Sequence, residues 1–311
     1  SKKIASFTLI LMFASFMLIS PSINGQGISA QLEKPLVEHV FLITFDGANA
    51  EDFWQNTPFM SSLANESTRA EAFATVFPTL TYPAHTSLVT ETYPQIHGIT
   101  SNEKGVVEEE DIFELAAQYG FTTCIVGGTF MGMFGKVSQT EYHLGWSSSD
   151  GFMDTALSIL SQQQPNLMFI YQPDPDEAGH AHGSESIEYK AAIRDSDAQI
   201  GRLVNYLKKS GLANNSCILV TADHGMAGQG HYNRFPPLVI NVPLWMWGPC
   251  FKGNGTIRAA RLIDIAPTIA VILGLPKPAN SLGIPIWDAL NETYYGEVRG
   301  VPVDLTSLRI N

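Results

Sequence analysis

Basic residues are scarce in this 311-residue chain, where 18 Lys and Arg face 30 Asp and Glu for a formal net charge of −12. They never gather into a run, so the footprint needed for phosphate-backbone binding is missing and a nucleic-acid-binding surface is excluded. Cysteine is scarcer still. Cys124, Cys217 and Cys250 form neither a C-x-x-C pair nor an even framework, which argues against a zinc finger or a disulfide scaffold. Cys124 and Cys217 lie in apolar, strand-like runs and read as core thiols. Internal repeats and low-complexity tracts are lacking, and an apolar content of 45% can fill a large core, so disordered and fibrous classes fall away as well.

No apolar run of spanning length follows the N-terminal segment. There, Lys2 and Lys3 precede the run Ile4–Ile19, Ser20-Pro21 breaks it, and the small residues Gly25 and Ala30 follow where a peptidase could cut. This is the anatomy of a secretory signal. An uncleaved anchor is the alternative, although about 16 residues is short for a spanning helix. The expected organisation is a signal peptide or anchor over residues 1–30 and a single domain over residues 31–311. The expected location is exported: secreted, periplasmic or at the cell surface, with membrane contact only if the N-terminal segment is retained.

What the rest of the chain does contain is alternation. Short apolar runs at Val40–Phe45, Thr122–Val126, Leu167–Tyr171 and Cys217–Thr221 predict buried strands. Helical spacing predicts helices over Glu108–Tyr119, Met153–Gln163, Ile187–Lys208 and near Ile263–Leu273. The pattern is that of a doubly wound α/β sheet. In such sheets ligands collect at the carboxyl ends of the strands, and the residues just past three of these strands are acids and histidines. Asp46 follows the first, Asp174 and Asp176 the third, and Asp223-His224 the fourth.

Asp and His are oxygen and nitrogen donors suited to zinc, and two such ions can clamp the attacking and leaving oxygens of a phosphoryl transfer. Asp46, Asp176, His180, Asp223, His224 and His231 supply a ligand set of the right size. Asp176 and His180 are four apart, so one helical turn or a tight loop points them the same way. Asp223 and His224 are adjacent and can converge only from an irregular turn. A lone Asp after a strand is more often a helix cap, but three strand-end clusters of ligand type make the joint reading a metal centre. Thr81, in Thr79-Leu80-Thr81-Tyr82-Pro83, lies at or near the N-cap of a helix, where phosphate binds readily, although by sequence alone a threonine there is more often simply a cap. A cation coordinating its hydroxyl would activate it without a histidine base.

Phe45-Asp46-Gly47, Pro78 through His85, Tyr93-Pro94-Gln95-Ile96-His97-Gly98-Ile99, Pro175-Asp176 through Gly179-His180, and Ala222-Asp223-His224-Gly225-Met226 together resemble the type I phosphodiesterase/nucleotide pyrophosphatase family of the alkaline phosphatase superfamily. The resemblance runs in order from about Val40 to Trp287. It implies an alkaline phosphatase-like α/β fold, with a mostly parallel central sheet and helices on both faces. It also implies two divalent cations, zinc by type, and Thr81 as covalent nucleophile. Asp46, Asp223 and His224 would hold the cation that activates Thr81, and Asp176, His180 and His231 the second. Asn102 matches the family's asparagine that donates to a phosphate oxygen.

The chain departs from the family pattern in two places. His231 follows His224 by only seven positions, without the long insertion of many relatives, and His182 is the reserve ligand. After the second predicted strand, Gly127 through Phe134 holds no cation where related monoesterases place Lys or Arg to meet the extra charge. The expected reaction is therefore hydrolysis of a small-molecule phosphodiester, pyrophosphate or nucleotide through a phospho-threonine. A phosphomonoesterase, a phospho-headgroup transferase and an inactive binding module are the alternatives. Sulfatase chemistry is disfavoured because no C/S-x-P-x-R segment supplies its nucleophile. Phe130, Met131, Met133 and Phe134 are expected mostly to pack, His85 and His97 to make structural hydrogen bonds, Trp245 and Trp247 to form a buried edge, and Glu177 to stand behind the ligands.

Overall fold

Strand β1 (His39–Phe45) reads HVFLITF and buries every side chain, as a strand covered on both faces must. In the computed structural model, which describes residues 32–136, 140–232, 236–278 and 280–300, β1 pairs in parallel with β5 (Leu167–Gln172) and β6 (Ser216–Thr221). The segment expected to be a signal or anchor, residues 1–30, lies outside the described residues. Strand β3 (Thr123–Gly127) pairs with β5 and with β4 (Thr140–Leu144). Beyond β6 come β7 (Leu244–Trp247), β2 (Ser67–Ala74) and β8 (Gly255–Arg261), giving the order β4-β3-β5-β1-β6-β7-β2-β8. Among the described residues only β7 runs antiparallel to its neighbours.

Two groups of helices cover the sheet. Ser149–Gln162, Asp174–His182 and Ile187–Ser210 pack with one another and with Ala50–Asn56, while Thr81–Thr90, Ile112–Gln118 and Ile265–Leu273 form the other group. The architecture expected from the sequence is present: a mostly parallel sheet with helices on both faces. Local chemistry sets the helix ends. Ser186 caps Ile187–Ser210 by accepting from the Tyr189 N–H, and Gly211 closes it at φ 78°. The helix predicted from Glu108 starts later, at Ile112, because Asp111 and Glu114 form a capping box there.

One expectation is overturned. Cys217 on β6 is bonded to Cys250, just past β7, and is no free core thiol; Cys124 is the free, buried one. The two are 33 residues apart, and only the antiparallel pairing of β6 with β7 brings their Cα atoms to 6.7 Å. Trp245 and Trp247 are buried on β7, as expected. No helix of the described residues is long and apolar enough to cross a membrane.

Candidate metal centre and nucleophile

The carboxyl ends of β1, β5 and β6 lie side by side at the middle of the sheet, so the residues that follow them meet. Asp46 is the first residue after β1 and does not cap a helix; Asn49 caps Ala50–Asn56. Asp176 and His180 lie one turn apart on the helix Asp174–His182 after β5. Asp223 and His224 leave β6 in an irregular segment, as adjacency required. Two glycines make room. A Cβ on Gly47, which sits at φ 69°, would come within 2.8 Å of Asp176 Oδ1, and one on Gly225 would strike the Leu238 carbonyl oxygen at 1.9 Å.

Three imidazoles are pinned from behind. Each Nδ1–H donates to a backbone carbonyl: His180 to Gln229 at 3.1 Å, His224 to Gly225 at 3.3 Å and His231 to Thr79 at 2.6 Å. That tautomer leaves all three Nε2 lone pairs directed into the site. His180 and His231 bring theirs within 3.2 Å of each other, and His224 Nε2 lies 3.4 Å from Asp46 Oδ1 and 3.3 Å from Asp223 Oδ2. Asp176 Oδ1 is 3.4 Å from His180 Nε2 and 3.7 Å from His231 Nε2. Asp46 Oδ1, Asp176 Oδ1 and Asp223 Oδ2 are all buried without a hydrogen-bond partner.

Six lone-pair atoms thus converge, three of them carboxylate oxygens with no hydrogen-bond partner, an arrangement that bound cations would stabilise. The donor set fits divalent metal ions, and its oxygen and nitrogen character fits zinc. Asp176, His180 and His231 could hold one ion and Asp46, Asp176 and His224 another, with Asp176 common to both; Asp223, expected beside Asp46 and His224, is in neither group, although its Oδ2 lies 3.3 Å from His224 Nε2. The exposed His182 belongs to neither.

Electrostatics carries the same message. Burial first, then the charges of Asp223 and Asp176, raise the Asp46 carboxyl well above its ordinary range, and burial with Asp223 lifts Asp176 to about 8. For Asp223 burial works upward, but His224 and His85 outweigh it and hold the carboxyl low. Burial takes His224 down to about 3 and lowers His231 as well, so both imidazoles are neutral and able to ligate.

Thr81 is the first residue of the helix Thr81–Thr90, one place inside the cap position, which Leu80 occupies without a side-chain hydrogen bond. Its hydroxyl is therefore not spent on capping and lies 3.4 Å from His224 Nε2. His85, one turn on, holds the Thr81 carbonyl through Nδ1 at 2.8 Å and meets Thr44 through Nε2 at 3.0 Å, the structural role expected of it. His97 likewise bonds the Ser87 hydroxyl at 2.9 Å. Asn102 sits beside the helix start, its Oδ1 accepting from the Tyr82 N–H at 3.0 Å. Using the oxygen in this way turns the amide nitrogen into the free donor.

Sequence reasoning missed several supporting residues. The Tyr171 hydroxyl, at the end of β5, donates to Asp46 Oδ2 and so leaves Oδ1 for a cation. Thr79 brackets His231, donating to its carbonyl at 2.5 Å as well as accepting from its ring. Tyr232 stacks on His180 at 5.6 Å. Nothing in sequence spacing marks these contacts, since each joins distant segments. Beside Thr81 opens a cavity of about 210 Å³ with no Lys or Arg among its lining residues. Lys136, the nearest cation in sequence, donates to the Val107 carbonyl at 3.1 Å. Phe130 lines this cavity, whereas Met131, Met133 and Phe134 are buried.

The description "Type I phosphodiesterase / nucleotide pyrophosphatase" matches residues 40–115 and 107–241. Ectonucleotide pyrophosphatase/phosphodiesterase family member 5 of Homo sapiens is 27% identical over 241 residues, covering 69% of this chain and 50% of that protein. Bis(5'-adenosyl)-triphosphatase ENPP4 of Bos taurus is 28% identical over 300 residues, 86% of this chain and 60% of that protein. The chain thus spans about half the length of such relatives. Among solved structures, human family member 5 superposes with a TM-score of 0.71 at 18% identity, over 81% of this chain and 100% of that one. A 2-O glycosaminoglycan sulfatase gives 0.67 at 15% identity over 86% of this chain and 75% of its own. At those identities the superpositions show a shared fold.

Proposed function

Because the chain belongs to the type I phosphodiesterase/nucleotide pyrophosphatase family, we propose that it hydrolyses phosphodiester or pyrophosphate bonds of small molecules, nucleotides among them, with Thr81 as nucleophile. The observation that carries this reading is the Thr81 hydroxyl, unused in capping and 3.4 Å from His224, at the edge of a cluster of imidazole nitrogens and buried carboxylate oxygens, three of which lack a hydrogen-bond partner. Asp46, Asp176, His180, Asp223, His224 and His231 would hold two divalent cations of zinc type. When bound, such cations lower the pKa of a hydroxyl and offset charge on phosphoryl oxygens.

The chain's own residues account for the rest. Thr81 Oγ attacks phosphorus, the bond to the leaving oxygen breaks, and the hydroxyl proton ends on the departing alcohol or phosphate. Water then attacks the phospho-threonine, and Thr81 recovers its proton. Two in-line displacements predict net retention at phosphorus. The Asn102 amide nitrogen donates to a non-bridging oxygen, and the start of the helix Thr81–Thr90 adds its dipole. The cation-free cavity favours a diester over a monoester, whose extra charge it leaves unmet. Export agrees with the Cys217–Cys250 disulfide, a bond that persists in oxidising compartments. A complete donor set around an unspent hydroxyl speaks against an inactive binding module.

The test is hydrolysis of a p-nitrophenyl phosphodiester against the matching monoester by zinc-loaded protein, with a chelator control. Faster, chelator-sensitive diester cleavage is expected, falling by at least about a thousandfold in Thr81→Ala with bound zinc nearly unchanged. Undiminished turnover in that variant overturns the nucleophile, and monoester preference overturns the substrate class.

A further inference from the structure

A second cavity, of about 240 Å³, is lined from β2, β7, the start of β8 and the helices Ala50–Asn56 and Pro58–Ser62. It shares no residue with the cavity beside Thr81 or with the metal ligands. Trp54, Met60, Arg69, Trp245, Asn254 and Thr256 are among its walls. Trp245 is 2% exposed, and its Nε1–H has no hydrogen-bond partner, a costly state for a buried donor. Arg69 lays its guanidinium 5.6 Å from the centre of the Trp54 ring and makes no ion pair among the described residues. Glu71, two places along β2, does not pair with it, and Glu66 accepts instead from Lys208 at 3.0 Å. A chain that carries 30 Asp and Glu puts none of them in this lining.

Three kinds of occupant can be weighed against these walls. A cation would be repelled by Arg69. A neutral apolar group would cover Trp54 and Met60 but strip water from the guanidinium without replacing it and leave the Trp245 N–H unmatched. An oxyanion with an apolar body answers all of them, since its oxygens accept from the donors while its body lies against the rings. One guanidinium balances one charge and matches the planar fork of a carboxylate, whereas a phosphate monoester brings nearly two charges. We propose that this cavity is a second ligand site, separate from the metal centre, that takes a small organic carboxylate with its charged end on Arg69.

The test titrates zinc-loaded protein by calorimetry with phenylacetate, its uncharged amide phenylacetamide, and phenyl phosphate. Phenylacetate should bind about tenfold tighter than the amide, and the ratio should fall towards one in Arg69→Gln. Trp54→Ala and Trp245→Phe, the latter keeping an aromatic ring and removing the N–H, should each weaken phenylacetate binding. Arg69 is exposed, so Arg69→Gln should keep the wild-type melting temperature, which separates loss of the site from loss of the fold. Thr81→Ala should leave the ratio unchanged. No saturable binding of phenylacetate, a ratio near one in the wild type, or a ratio untouched by Arg69→Gln would each overturn the proposal. Displacement of phenylacetate by the p-nitrophenyl diester would overturn it too, by putting the anion at the metal centre. Phenyl phosphate bound more tightly than phenylacetate, with the difference lost in Arg69→Gln, would overturn the choice of carboxylate. None of these outcomes bears on hydrolysis at Thr81.

Discussion

Asp46 carries two oxygens in opposite circumstances. Oδ2 accepts from the Tyr171 hydroxyl, whereas Oδ1 is buried with no partner and faces His224. Tyr171 thereby decides which oxygen is presented to a cation, the kind of support that holds metal ligands in orientation. Tyr171→Phe keeps the ring and removes only the hydroxyl, so zinc affinity measured by competition with a chromophoric chelator should weaken about tenfold or more. An unchanged affinity would mean that Asp46 is held by the fold alone. The residue scale also shows where sequence reading stops. Asp46, Asp223 and His224 could be found because each follows a recognisable strand, and Thr81 because of its family segment. Tyr171, Thr79 and Tyr232 could not, because contacts between segments 125, 152 and 52 residues apart leave no local pattern.

At the scale of elements, the helix Thr81–Thr90 ends in an unusual way. Its C-terminal cap is Glu91 at φ 62°, a left-handed conformation that usually calls for glycine, with a side chain fully buried and both carboxylate oxygens unpartnered. Burial, opposed by Ser281 and Lys277, raises this carboxyl from 4.5 to about 8. The neutral form is therefore the one the fold accepts. Its contribution to stability is complete below pH 4.5 and is lost as pH rises through about 8. Glu91→Gln supplies a neutral side chain of the same shape. Its melting temperature should match the wild type near pH 4.5 and exceed it at pH 8, by an amount worth a few kcal/mol. Equal melting curves at both pH values would show that the carboxylate finds a partner. The four strands read from the sequence, β3, β5, β1 and β6, are the contiguous parallel core of the sheet, where unbroken apolar runs are compulsory. Strands β2 (STRAEAFA) and β8 (GTIRAAR) were illegible because alanine, charge and half-exposed faces carry no strand signal until they are paired.

Across the whole molecule, segments from three strand ends and the turn that carries His231 are drawn to one point, where three buried carboxylate oxygens find no hydrogen-bond partner among the described residues. Two fastenings answer different parts of that problem. The Cys217–Cys250 bond ties β6 to the chain beyond β7, on the side of the sheet where parallel pairing gives way to antiparallel. At the strand ends the fastening is the ligand cluster, and it works only with countercharge, since Asp46, Asp176 and Asp223 otherwise repel one another in a buried space. Metal occupancy should therefore appear as stability even when nothing is turned over. At a thousandfold excess over Kd a bound ion adds about 4 kcal/mol, and at roughly 2 °C per kcal/mol for a domain of this size chelation should lower Tm by about 8 °C. Thr81→Ala, which keeps the carboxylates and imidazoles, should show the same drop and the same recovery on adding zinc. A Tm indifferent to chelator would mean that the six lone-pair atoms are satisfied by protons instead, and the metal centre would fall with it.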